Sequence, residues 1–189
     1  MKTGSMILAV LALVGAFALG NAFAQTDDQA PPMPEWMKQT EEHKELQAGC
    51  GEFTVKGEWF AAPGAPANTM EGTATRKSIL NGFFVEETFK ADWMGMKFEG
   101  RSIMGYDTIG KQYQGIWTDN VSPYMAFMIG KQKGEEVHTT YESPDPMTSK
   151  MLKQRSVLKG DKDHYVLTFF VVDGEKEFMN MRLTYDRKK

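Results

Sequence analysis

Residues 81–120 limit the fold of this chain more than any other segment. They contain three runs in which aromatic residues recur at every second position, and turn-forming groups separate the runs. Asn81-Gly82 opens the first run, and this dipeptide is typical of a two-residue hairpin loop because both residues tolerate a positive φ. Trp93-Met94-Gly95-Met96 and residues 107–111 form the next two turns. The segment therefore predicts three antiparallel strands joined by short turns.

The same two-residue period continues on both sides of this segment. Further strands are predicted at residues 52–60, 69–80, 124–129, 136–141, 151–158, 164–172 and 177–185. Because no helix-forming run lies between them, the sheet must be antiparallel. The pattern predicts an all-β fold, an antiparallel up-and-down β-barrel of about 8–10 strands that is calycin- or lipocalin-like. A barrel of this size is wide enough to hold one small ligand.

The N-terminal region predicts export from the cytoplasm. Lys2, an apolar run over residues 6–19 and Ala22-Phe23-Ala24 together match a signal peptide of residues 1–24. Residues 25–34 are polar and proline-rich, which favours a disordered lead-in. Pro34 suits the first turn of a helix over residues 35–47, which we expect to cap one end of a single domain spanning residues 35–189. The expected location is the periplasm or the extracellular space.

Composition argues against several classes of partner. The chain carries a net charge of −3 and has no basic stripe, which argues against nucleic acid. No segment after the signal region is long and apolar enough to be a membrane span. Cys50 is the single cysteine, so an internal disulfide is impossible, and we expect a small buried side chain rather than a reactive thiol.

Catalytic and metal-binding motifs do not emerge from the sequence. Residues 100–105 resemble a nucleophile elbow but have one residue too many before the second glycine. Glu41-Glu42-His43 lacks the second histidine of a zinc helix. Met179 and Met181 suggest neighbours on one face in a barrel core more strongly than a Cu(I) site. We therefore expect neither an enzyme nor a resident cofactor or metal.

Aromatic residues on the predicted strands suggest the walls of a ligand pocket. The pocket candidates are Trp59, Phe84, Glu86, Tyr106, Trp117, His138 and Phe169. Glu86 is the expected polar handle for a small apolar or amphipathic ligand. One alternative is a haem-binding barrel with His138 or His164 as axial ligand. The other is a filled barrel that acts as a protein-interaction module through its outer face.

Several sequence blocks resemble one bacterial family. They are Ala62-Pro63-Gly64-Ala65-Pro66, Gly72-Thr73-Ala74, Ile79-Leu80-Asn81-Gly82, Phe98-Glu99-Gly100, Gly105-Tyr106-Asp107 and Asp145-Pro146-Met147-Thr148. In this order the blocks resemble the family catalogued as domain of unknown function DUF1579, over residues 43–187. The resemblance implies a compact β-barrel, often secreted, and it carries no established activity or catalytic residues.

Overall fold

A computed structural model describes residues 32–93, 95–145 and 148–189 of the chain. The predicted signal peptide of residues 1–24 and most of the predicted lead-in lie outside the described residues. Residues 33–189 form one compact unit. Among the described residues, no helix is long and apolar enough to cross a membrane.

Ten antiparallel strands close into a barrel, which confirms the predicted fold class. The strands are β1 Gly51–Trp59, β2 Asn68–Ile79, β3 Phe84–Trp93, β4 Met96–Asp107, β5 Gln112–Asp119, β6 Ala126–Lys133, β7 Glu136–Pro144, β8 Met151–Gly160, β9 His164–Asp173 and β10 Lys176–Arg187. Each strand pairs with its neighbours in sequence, and β1 also pairs with β10. The order is therefore that of an up-and-down barrel without crossovers.

The β2–β3 hairpin differs from its prediction. Ile79 pairs with Phe84, so the loop contains four residues, 80–83, and not the two predicted. Leu80, Asn81 and Gly82 all adopt a positive φ, at 49°, 58° and 85°. Asn81 and Gly82 therefore take the left-handed conformation that their residue types favour, but Leu80 joins them and lengthens the turn.

The predicted N-terminal helix is broken into two pieces. A 3-10 turn covers Glu35–Met37, and the α-helix α1 covers Glu41–Ala48. The break falls at Thr40, the N-cap residue of α1, whose backbone N–H donates a hydrogen bond to Nδ1 of His43 at 3.0 Å. His43 is buried and packs edge-on against Phe83 and Tyr106. The helix packs against β2, β3 and β4 at one end of the barrel, which we call the closed end.

The buried core of the protein fills the barrel from the closed end past its middle. Phe53 and Val55 of β1 are buried, and the strand pairing places Phe53 opposite Ala74 and Val55 opposite Tyr185. Because paired residues in a sheet share a face, these pairs identify the inward face of each strand in turn around the ring. Phe89 on β3 belongs to the same core. We call the opposite end, where β1 ends and β2 begins, the open end.

One expectation about the last strands is wrong. A β-bulge between Met179 and Met181 places Met181 opposite the inward Phe169 and Met179 opposite the outward Phe170. The two methionines therefore lie on different faces, since a bulge adds one residue and reverses the alternation. The outer face of β9 is half-buried, and the guanidinium group of Arg155 lies 4.2 Å from the ring centre of Phe170.

Glycines inside the barrel make room for large side chains. Gly100 is buried, and a Cβ atom at this position would overlap the indole ring of Trp117. In the same way, a Cβ atom at Gly115 would lie 2.9 Å from Sδ of Met104. The missing side chains at Gly100 and Gly115 therefore leave room for the indole ring of Trp117 and the side chain of Met104 against the wall.

We expect Gly100→Ala to destabilise the protein by about 1–3 kcal/mol, because the added methyl group must displace the indole ring of Trp117. The free energy of unfolding in urea measures this loss. Combining Gly100→Ala with Trp117→Leu should cost less than the sum of the two single changes, since the smaller side chain removes the overlap. Equal stability of Gly100→Ala and the wild type would contradict this account of the glycine.

Candidate ligand site in the barrel interior

The strand register divides the seven predicted pocket residues into two groups. Four of them lie on the inward face, and they are Trp59, Tyr106, Trp117 and Phe169. Three lie on the outward face, and they are Phe84, Glu86 and His138. Of the inward group, Tyr106 lies near the closed end beside His43 and Tyr113. The structure therefore brings Trp59, Trp117 and Phe169 towards the same open half of the barrel.

An aromatic cluster lines one side of this open half. The ring of Trp59 lies 6.2 Å from that of Trp93, which lies 6.0 Å from that of Phe98. Phe98 in turn stacks on Trp117 at 6.4 Å with an angle of 17° between the planes. These edge-to-face and stacked contacts link β1, β3, β4 and β5. Trp93 and Phe98 were not among the predicted pocket residues, although they follow the same two-residue period.

The opposite side of the open half is more polar. Tyr141 of β7 donates a hydrogen bond to Oε1 of Gln154 on β8 at 3.0 Å, and Nε2 of Gln154 donates to Oγ of Ser143. All three side chains face inward according to their pairing. Burial raises the pKa of Tyr141 well above its usual range, so its hydroxyl group stays protonated and can act as a hydrogen-bond donor. Sequence reasoning missed this strip because Tyr141 and Gln154 meet only through strand pairing.

The exposure of inward side chains differs between the two halves of the barrel. An inward side chain near a strand end is exposed either through that end of the barrel or to space within the wall. Trp59, Trp117, Phe169 and Met181 are inward yet only half-buried, whereas Phe53 at the closed end is fully buried. The interior is therefore fully packed at the closed end and less completely covered towards the other end. We call the interior of the open half the cup.

A buried polar cluster lies at the closed end, in the part of the core beneath α1. Nε of Arg76 lies 3.6 Å from Oε2 of Glu87, and the two side chains are 13% and 14% exposed. Arg76 also donates to the hydroxyl oxygen of Tyr165 at 3.3 Å, and Tyr185 donates to Glu87 at 3.4 Å. Burial raises the pKa of Glu87, while Arg76 opposes this rise. Phe53, which packs against both tyrosines, is among the fully buried side chains of this half of the core.

Glu87 therefore occupies the interior position that the sequence analysis gave to Glu86. Glu87 pairs with Arg76 and Ser102 on the inward face, and Glu86 pairs with Lys77 and Ile103 on the outward face. Both faces of β3 carry a phenylalanine and a carboxylate, so the two-residue period alone does not distinguish them. The correct face follows from the buried pair Phe53 and Ala74 on the neighbouring strands.

The histidines named in the haem alternative do not face the cup. His138 lies on the outer face, where its Nε2 atom is 3.0 Å from Oε2 of Glu136. His164 lies at the closed end, where Nδ1 is 2.6 Å from Oδ1 of Asp186. Neither imidazole could reach the iron of a haem held inside the barrel. In the described part of the chain, no three side chains of His, Cys, Asp or Glu come together in a metal-binding group.

Cys50 follows α1 at the closed end and is half-buried. Its Sγ atom lies 3.8 Å from the carbonyl oxygen of Leu46. Burial raises the pKa of the thiol, and nearby Arg76 and Arg187 oppose this rise. Because the thiolate is the reactive form, this environment favours the inert thiol.

The outer face carries an apolar groove that includes Phe84. The groove has a volume of about 330 Å³ and crosses strands β3 to β6. Its apolar side chains include Phe84, Ile103, Ile116, Phe127 and Ile129. Phe84 therefore has an apolar environment, as the sequence suggested, but this environment lies on the outside of the barrel.

The fold defines a small closed antiparallel β-barrel whose core is most tightly packed at one end. The chain belongs to the family described as Protein of unknown function (DUF1579), whose model matches residues 38–187. This range begins before α1 and ends with the last residue of β10. A search of curated proteins finds no match for the chain.

The buried ion pair predicts a specific pattern of stability changes. Glu87→Gln should destabilise the protein by about 3 kcal/mol, because Arg76 keeps its charge in a buried site without a counter-charge. Replacing both residues, as in Arg76→Met with Glu87→Met, should cost less than Glu87→Gln alone. Urea unfolding of the three proteins measures both effects. A double variant less stable than Glu87→Gln would show that the pair itself stabilises the fold.

The buried tyrosines predict loss of stability at high pH. Burial raises the pKa of Tyr113 to about 12 and raises those of Tyr165 and Tyr185 as well. A raised pKa in the folded state means that the stabilisation is fully present below the unfolded value of about 10 and is lost as the pH rises through the folded value. The free energy of unfolding should therefore fall progressively above about pH 10. Tyr113→Phe should reduce this fall, and an unchanged slope would contradict the assignment.

Proposed function

We propose that the cup binds one small apolar or amphipathic molecule. The observation that carries the proposal is the partial exposure of inward aromatic side chains in a barrel that is otherwise closed. Trp59, Trp93, Phe98 and Trp117 offer apolar surface to such a molecule, and Tyr141 with Gln154 offers hydrogen bonds. Binding sites for small molecules combine these features, since apolar walls supply affinity and a few polar groups fix orientation.

In this proposal the polar contact to the ligand comes from Gln154 and Tyr141 and not from Glu86. The carboxylate of Glu86 is on the outer face, and the inward Glu87 is already engaged with Arg76 and Tyr185 at the closed end. A neutral amide and a protonated hydroxyl group suit an alcohol, carbonyl or carboxylic acid group on the ligand. The ligand class is therefore an apolar body with one small polar head.

The proposal also places the protein outside the cytoplasm. Residues 1–24 have the charge, apolar run and small-residue ending of a signal peptide. Export would allow the barrel to bind an apolar molecule in the periplasm or beyond the cell. Intact mass measurement of the protein isolated from a periplasmic extract should show a chain beginning at Gln25, and an intact Met1 would contradict export by cleavage.

Titration with dansyl-undecanoic acid tests the cup directly. We expect saturable dansyl fluorescence, together with energy transfer from Trp59, Trp93 and Trp117 to the probe. Phe169→Ala should weaken binding by about tenfold or more, because an inward ring is removed. Phe170→Ala is the matched control, since the adjacent ring faces outward and should leave the affinity within about twofold.

Two further variants test whether the probe binds inside the barrel or on its outer face. Gln154→Ala should weaken binding, and Glu86→Gln should leave it unchanged. Displacement of the probe by fatty acids, isoprenoids and tetrapyrroles would then rank the natural ligand classes. The proposal fails if the probe does not bind saturably, or if Phe169→Ala and Phe170→Ala have equal effects.

A second candidate function is a protein-interaction module, and the apolar groove on the outer face favours it. The outward Phe84 and Ile116 lie in this groove and would contact a partner. The dansyl titration separates the two functions, because an interaction module with a filled interior would not bind the probe within the barrel.

A further inference from the structure

The wall of the barrel forks between β6 and β7 near the open end. The two strands pair from Ile129 with Thr140 to Lys133 with Glu136. However, β6 begins three residues earlier at Ala126, and β7 continues beyond Thr140 to Pro144. Over these lengths each strand pairs on its other side, with β5 and β8 respectively. The fork therefore separates two strand edges that do not pair with each other.

A pocket of about 500 Å³ occupies this fork. Its lining includes the outward residues Phe127 and Thr140 and the inward residues Tyr141 and Gln154. Both faces of the wall therefore contribute to the pocket, which reaches the polar strip of Tyr141 and Gln154. The fork is the place where a lateral entrance to the proposed binding site would lie.

Exposed apolar side chains are concentrated around this entrance. We define the fork border as six exposed residues, which are Val121, Tyr124, Met125, Phe127, Ile129 and Met151. They come from the β5–β6 turn, the outer face of β6 and the first residue of β8, which pairs with Pro144 at the end of β7. Phe127 is 65% exposed and Ile129 is 51% exposed. A cluster of this kind on one side of a protein indicates an interaction surface.

The charges beside the fork are of opposite sign. Glu142 and Lys153 pair across β7 and β8 and both line the pocket. The border residues are uncharged, and the exposed Lys131 and Lys150 lie beside Ile129 and Met151. Tyr124 has the amphipathic ring that is frequent where a membrane meets water. An apolar border flanked by lysines suits insertion of the apolar side chains among lipid headgroups.

We propose that the fork border docks onto the surface of a lipid bilayer, where the fork opens the cup to apolar molecules dissolved in the bilayer. The role of docking in ligand transfer rests on the proposed function, but the docking itself can be measured without any ligand. An apolar molecule would then pass between bilayer and cup without crossing water, which removes the cost of hydrating its apolar surface.

Flotation with phosphatidylcholine vesicles tests the docking. We expect the wild-type protein to float with the vesicles, and the double variant Phe127→Ser with Ile129→Ser to bind at least about tenfold more weakly. The matched control is Leu80→Ser with Ile109→Ser, which removes two side chains that are 69% and 71% exposed in turns at the closed end. This control should bind vesicles as the wild type does. All proteins should carry the same N-terminus, verified by intact mass.

Salt and the dansyl probe complete the test. Binding to phosphatidylcholine vesicles should change little with added salt, because this lipid has no net charge and the contact is apolar. The docking proposal is contradicted if the wild-type protein does not float with the vesicles, or if the two double variants float equally well. A border that binds a protein partner instead of lipid would give the first of these results. The dansyl titration in vesicle-free buffer reports on the cup alone. Saturable probe binding without flotation would therefore reject this inference and leave the proposed function standing.

Discussion

The pairing of β1 with both β2 and β10 is the constraint on which the rest of the structure depends. Trp59 and the other residues of β1 form nine pairs with β2, and seven of these residues also pair with β10. Once the ring is closed, each strand has partners on both sides, and a shift by one residue at any position would turn the inward side chains of that strand outward. The strand register therefore determines which side chains form the packed end, the cup and the outer groove.

The two halves of the barrel differ because different side chains point inward along the same strands. On β1, Phe53 and Val55 fill the closed half, and Trp59 lies at the open end. On β3, Val85 and Phe89 are buried, and Trp93 is half-buried. The closed half therefore contributes the buried apolar area that stabilises the fold. The open half keeps large aromatic side chains only half-buried, and in the proposed function a ligand would increase their burial.

The sequence predicts the strands well and their faces poorly, for a physical reason. All ten strands follow from alternation and turn residues, which depend only on neighbours in the chain. The choice between Glu86 and Glu87, and between Phe169 and Phe170, depends on pairing across the barrel, because both faces of these strands carry apolar side chains. The bulge after Met179 has no strong local signal either. Sequence reasoning therefore found the aromatic wall in part and missed the polar strip.

The buried ion pair and the polar strip of the cup lie in different halves of the barrel, and this arrangement affects both stability and the proposed function. The interior ion pair of Arg76 and Glu87 lies in the closed half, where surrounding side chains are packed and where two tyrosine hydroxyl groups supply hydrogen bonds. The polar strip of Tyr141 and Gln154 is neutral, so a ligand that contacts it would not have to remove water from an ion. The inward carboxylate of Asp119 near the open end accepts a hydrogen bond from Nε1 of Trp117 at 3.0 Å. The same reasoning makes the fork between β6 and β7 a suitable entrance in this proposal, since Tyr141 and Gln154, which line its pocket on the inward side, are neutral.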